Sequence, residues 1–176
     1  MALYLIESSL DGNTREEGAF RARTDELQRE LGERGAKLLE VQVSQGFERA
    51  FFIADGGEEA VRAALAAASV PVELLKEVRL IGKQPEEVQP QGEGLNYLVE
   101  WNLPEHLTME QYLERKKKNS VHYAEVPEVS FSRTYVCEDM TKCLCFYKAP
   151  DEDAVKRARE AVRAPIDALT AIRPQD

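Results

Sequence analysis

A chain of 176 residues has room for one medium domain or two small ones. Its net charge of −9 argues against a nucleic-acid partner, since phosphates need a basic footprint, and against anionic membrane surfaces for the same reason. No apolar run approaches the roughly 20 residues of a membrane span, while 43% hydrophobic residues suffice for a buried core.

The chain opens on Tyr4-Leu5-Ile6-Glu7, an apolar stretch that has no basic residues before it and soon meets an acid. It reads as a strand over Leu3 to Ser8, not as a signal peptide. Phe20, Leu27 and Leu31 at helical spacing predict a helix from Glu16 to Glu33, with Gly32 and Gly35 near its end. Leu38 to Val43 and Arg49 to Ala54 follow as strands around a turn at Gln45-Gly46. An Ala-rich helix spans Gly57 to Ala68 and stops before Pro71, because the residue preceding proline avoids the α region. Leu75 to Ile81 closes this half as a strand.

The second half repeats that order. Strands are expected at Tyr97 to Trp101, Val129 to Val136, Lys142 to Tyr147 and Leu169 to Ile172. Helices are expected at Thr108 to Lys118, where Thr108 and Gln111 make a capping box, and at Asp151 to Val162, where acids suit the helix dipole. Tyr4-Leu5-Ile6-Glu7 recurs 93 positions later as Tyr97-Leu98-Val99-Glu100. At an offset of 94, Ala60-Val61-Arg62 falls on Ala154-Val155-Lys156, Phe52 on Phe146 and Pro71 on Pro165. The ordered matches predict an α+β protein of two tandem ferredoxin-like β-α-β-β-α-β units, residues 1–83 and 95–176, joined by a polar linker at 84–94. Ala50-Phe51-Phe52-Ile53 and Leu144-Cys145-Phe146-Tyr147 are apolar at successive positions, which implies sheets buried on both faces. The expected arrangement is a pseudo-dimer of the dimeric α+β-barrel type, with a homodimer as the alternative.

Strand 1 with its closing Glu, together with Arg133-Thr134-Tyr135-Val136, Lys142-Cys143-Leu144-Cys145-Phe146-Tyr147 and Ala149-Pro150-Asp151-Glu152-Asp153-Ala154-Val155, resembles the bacterial DUF4242 family. The resemblance covers most of the second half and, in the first, mainly strand 1 and Glu59 to Pro71. It implies a ferredoxin-like fold and, since members are called nickel-binding, nickel or another divalent metal. Where many members carry two histidines, this chain has Arg133 and Ala158.

Several residues are candidates for chemistry. His106 reads as a surface histidine, and His122 as a cation at a helix end or as a ligand. Cys143 and Cys145 share one strand face, and with Cys137 nearby they read as core filling or as thiolate ligands beside His122. Glu7 and Glu100 end the first strand of each half; each reads as a metal ligand, a general base or the partner of Arg133 or Arg79. Arg133, Tyr135 and Cys137 share a face that by alternation joins the Cys143/Cys145 face, giving a pocket for a small carboxylate, with Glu100 beside it. The alternative leaves Arg133 neutralising Glu100. Arg115 to Lys118 reads as a solvated basic run, and Trp101 as a core anchor.

With all three cysteines between Cys137 and Cys145, a reduced cytoplasmic protein is expected. Three functions fit: a binding protein holding a metal ion or small ligand between the repeats, an enzyme acting on a small organic acid, or a protein-interaction module.

Overall fold

The computed structural model describes residues 2–11, 15–89 and 93–174; Pro90, Gln91 and Gly92 of the expected linker lie outside them. Two compact units form, Met1–Val78 with Pro85–Pro90, and Arg79–Gln84 with Gln91–Asp176.

In the first unit β1 (Ala2–Ser9), α1 (Glu17–Glu33), β2 (Lys37–Val43), β3 (Arg49–Gly56), α2 (Glu58–Ala67) and β4 (Leu74–Ile81) follow in order. The strands pair antiparallel as β2-β3-β1-β4. Phe20, Leu27 and Leu31 of α1 and Val61, Ala64 and Leu65 of α2 cover one sheet face, packing on Ile6, Ala50 and Phe52. Alternation sends Leu5, Phe51 and Ile53 to the other face, and these are buried too.

The second unit holds β5 (Tyr97–Asn102), α3 (Met109–Asn119), a 3-10 turn (Ser120–Glu125), β6 (Ser130–Cys137), β7 (Lys142–Lys148), α4 (Glu152–Ala161) and β8 (Ala168–Ala171). Its order, β6-β7-β5-β8, matches that of the first unit. The Thr108/Gln111 capping box starts α3, and the Asp151 side chain accepts from the Ala154 N–H to start α4. Val99, Trp101, Cys143, Cys145 and Tyr147 face Tyr112, Val155 and Ala158 of the helices. Leu98, Tyr135, Leu144 and Phe146 lie on the opposite face, again buried.

Pro85–Glu87 forms a 3-10 turn, and residues 79–84 group with the second unit. Glu93 accepts from Arg133 Nη1 at 2.8 Å and from the Ser132 hydroxyl at 2.9 Å. Polar and ionic contacts leave no apolar periodicity, so sequence reading sees only a tether.

Candidate functional site

The β6–β7 hairpin decides where the expected residues go. Its register sets Val136 opposite Cys143, Thr134 opposite Cys145 and Phe131 opposite Tyr147, with a bulge between Phe131 and Arg133. Arg133 therefore stands opposite Phe146 and Tyr135 opposite Leu144, on the face away from the thiols. A one-residue change of register moves a whole strand's side chains across the sheet. The expected Arg133/Tyr135/Cys143/Cys145 pocket is thus not formed. Arg133 pairs with Glu93, and Glu100 takes Lys142 Nζ at 2.6 Å.

Of the expected metal residues, Cys143 and Cys145 share the helix-facing side of β7, while the others take separate partners. Glu7 accepts from Arg49 at 2.7 Å, and Arg79 pairs with Glu138. His122 Nδ1 bonds the exposed Glu125 carboxylate rather than the carbonyls ending α3; the Ser120 hydroxyl donates to one of those, Lys116 O. His106 is exposed, as expected.

A different site assembles on the helix side of the second unit. A cleft of about 380 Å³, measured out to its open mouth, lies under α3, the 3-10 turn and α4, with Cys145 of β7 in its lining. Its enclosed free space is only about 30 Å³, so the deep part is narrow. Arg115, Lys116 and Arg159 contribute cations, Trp101, Tyr112 and Tyr123 aromatic surface, and among the described residues no Asp or Glu lines it. The basic run expected to be a solvated face supplies two of these cations. Lys116 Nζ lies 4.4 Å from the centre of the Phe131 ring, and the Arg115 guanidinium 5.3 Å from that of Trp101.

Arg159 is the centre of the arrangement. It is 2% exposed. Nη1 donates to the Tyr147 hydroxyl at 3.0 Å and Nη2 to the Pro165 carbonyl at 2.6 Å, while Nε is buried with no partner among the described residues. The Tyr147 hydroxyl also shares a 2.6 Å bond with that of Tyr123, and the Thr134 hydroxyl lies 3.2 Å from Cys145 Sγ. Burial pushes Tyr123 up to about 12 and raises Tyr147 as well. Cys145 is held below the usual thiol range by the Cys143 thiol beside it, then by Lys116 and Arg159, against the effect of burial. Burial works against the charge on Arg159, but the Cys145 sulfur and the Tyr147 oxygen outweigh it and raise its pKa.

Comparing the two units corrects the expected alignment. Phe52 stands opposite Ile6 on the helix face of its sheet, whereas Phe146 stands opposite Leu98 on the other face. The helix-facing counterpart of Phe52 is Cys145, opposite Val99, at the offset of 93. The offset of 94 holds only from α2 and α4 onward, where buried Val61 and Ala64 match buried Val155 and Ala158. There Leu65 matches Arg159. The second unit thus has a small thiol for a phenyl ring and a guanidinium for a leucine on one core face. A thiol fills less of that face than a phenyl ring does, and the guanidinium brings a charge to it. That pair of substitutions was the available signal in sequence, and looking for histidines and carboxylates missed it.

By architecture the chain is an α+β protein with antiparallel strands and four helices, and solved structures share that fold along nearly its whole length. A chlorite dismutase variant from Candidatus Nitrospira defluvii aligns at TM-score 0.55 and 9% identity, covering 98% of this chain and 91% of that one. A heme-binding protein from Thermus thermophilus aligns at 0.54 and 13%, covering 99% and 90%. A monooxygenase-like protein from Listeria innocua aligns at 0.52 and 12%, covering 99% and 95%. At these identities the likeness is one of fold. Residues 97–172 match the family model described as nickel responsive protein SCO4226-like. No curated protein matches.

Nickel does not fit the side chains present. Among the described residues no group of three or more His, Cys, Asp or Glu is placed to hold a metal ion. The Cys145 thiol shares its cleft with Lys116 and Arg159, whose charges oppose a second cation.

Proposed function

We propose that this is a small-molecule-binding protein whose second unit holds a small organic anion, a carboxylate foremost, in the Arg159 cleft. One observation carries this reading: in a chain of net charge −9, a cleft lined, among the described residues, by three cations and no carboxylate holds a buried guanidinium whose Nε–H has no partner among those residues. Taking such a charge out of water is costly unless an anion meets it. The head group would enter the narrow depth and the remainder would lie in the mouth beside Trp101 and Tyr112. The match to a nickel-responsive family and the likeness to a heme-binding protein favour small-molecule binding in general, and the cleft's own charge favours an anion over a metal. Duplication of an ancestral unit and a cytoplasmic setting belong to the same proposal, the former supported by the identical strand orders.

Calorimetric titration with propionate and benzoate tests it. Saturable binding is expected, weakened about 10- to 100-fold in Arg159→Met, since a charge-assisted hydrogen bond contributes about 1.5–3 kcal/mol. Equal affinity in wild type and a folded Arg159→Met protein would reject the site.

A further inference from the structure

Arg159 needs a countercharge when the cleft holds no ligand. Among the described residues, the polar and titratable groups that act on Cys145 are Cys143 and Tyr147 on its own strand, Thr134 on β6, Tyr112 and Lys116 on α3, Tyr123 in the 3-10 turn and Arg159 on α4. None is a carboxylate. Asp153 and Glu160 line a separate groove with Arg159, but within the cleft itself the groups able to supply a negative charge are thiols and phenols, with ordinary pKa values near 8.5 and 10, so a thiol ionises first. Of the two thiols Cys145 is the one that lines the cleft with Arg159 and Lys116. Thr134 Oγ1, at 3.2 Å, is placed to donate to its sulfur.

Resting on the anion-binding reading above, we infer that the cleft takes up a weak organic acid together with its proton, the carboxylate going to Arg159 and the proton to Cys145 Sγ. A carboxylate and a thiolate sharing this narrow space would repel, and the thiolate is the stronger base. The acid's O–H bond breaks, an S–H bond forms, and no charge is added to the site. The guanidinium exchanges an internal counterion for an external one. No oxidant or metal takes part.

The linkage has a definite sign. One proton enters with each anion, so affinity for the anion falls about tenfold per pH unit at pH values above the pKa of the thiol in the ligand-free cleft. Titrating wild-type protein with benzoate in two buffers of different ionisation heat reads the proton count directly. Uptake of about one proton per benzoate is expected, together with loss of the ultraviolet thiolate absorbance on binding. In Cys145→Ser uptake should vanish and the pH dependence flatten. Should that variant not fold, the wild-type absorbance still decides. Benzoate binding without proton uptake, or with the thiolate band unchanged, would overturn this inference and leave the anion site standing. An absence of binding by both benzoate and propionate would remove the anion site itself and this inference with it.

Discussion

Arg133 and Arg79 form ion pairs of very different worth. Arg133 is fully buried and its partner Glu93 is 22% exposed, whereas Arg79 and Glu138 are 45% and 35% exposed. Removing one partner of a buried pair costs about 3–5 kcal/mol, while exposed pairs contribute about 0–1 kcal/mol. Glu93→Gln is therefore expected to lose about 3 kcal/mol in urea unfolding, near the lower limit because Glu93 is partly wet, and Glu138→Gln about 0.5 kcal/mol or less. Burial opposes ionisation of Glu93, but the Ser132 hydroxyl and Arg133 hold its carboxyl below the usual range. A depressed acid stabilises the fold above its unfolded pKa of about 4.3, and that stability drains away as pH falls through the folded value. Acid titration of unfolding should show a shallower loss below about pH 4.3 in Glu93→Gln than in wild type, and identical slopes would refute the assignment.

At the level of elements, α3 and the 3-10 turn after it place one side of the cleft. Thr108 and Gln111 satisfy backbone N–H groups reciprocally at the start of α3, so Thr108→Ala should cost about 1 kcal/mol. The same change should weaken benzoate binding only slightly, because Arg115 and Lys116 lie nearer the other end of α3. Tyr123→Phe removes the hydroxyl that meets Tyr147 and is expected to cost about 1 kcal/mol in unfolding. Sequence periodicity places all eight strands and four helices to within a few residues. Leu27 and Leu31, or Val155 and Ala158, recur at helical spacing because burial selects them. Ser120–Glu125 escapes such a reading, since a six-residue 3-10 turn with no fully buried residue leaves no pattern. The bulge at Ser132 escapes for a related reason. Alternation from Arg133 to Cys137 continues unbroken on either side of the sheet, and only the pairing with β7 reveals which side it is. The candidate site failed on that single register, and the linker hid Glu93 because an ion pair has no period.

Across the whole molecule, the charge of −9 and the cationic cleft set opposing fields for an incoming anion. Screening decides between them. The Debye length is about 30 Å at 0.01 M salt, so most of the chain's charge is felt there, but about 8 Å at 0.15 M. Around the mouth an anion meets Arg115, Lys116 and Arg159, and the two adjoining grooves add Lys118, Arg163, Lys156 and Arg157 against the acids Glu114, Asp153 and Glu160, so the local balance stays cationic. Association of benzoate, followed by stopped-flow quenching of the lone tryptophan Trp101 in the cleft wall, should therefore slow as salt rises above about 0.1 M. Net charge alone predicts the reverse, a rate that climbs as repulsion is screened. Lys118→Gln should reduce the slope because it removes one attracting charge without touching the cleft lining. A rate that increases steadily through that range would mean that the acidic surface, not the basic run on α3, governs approach to Arg159.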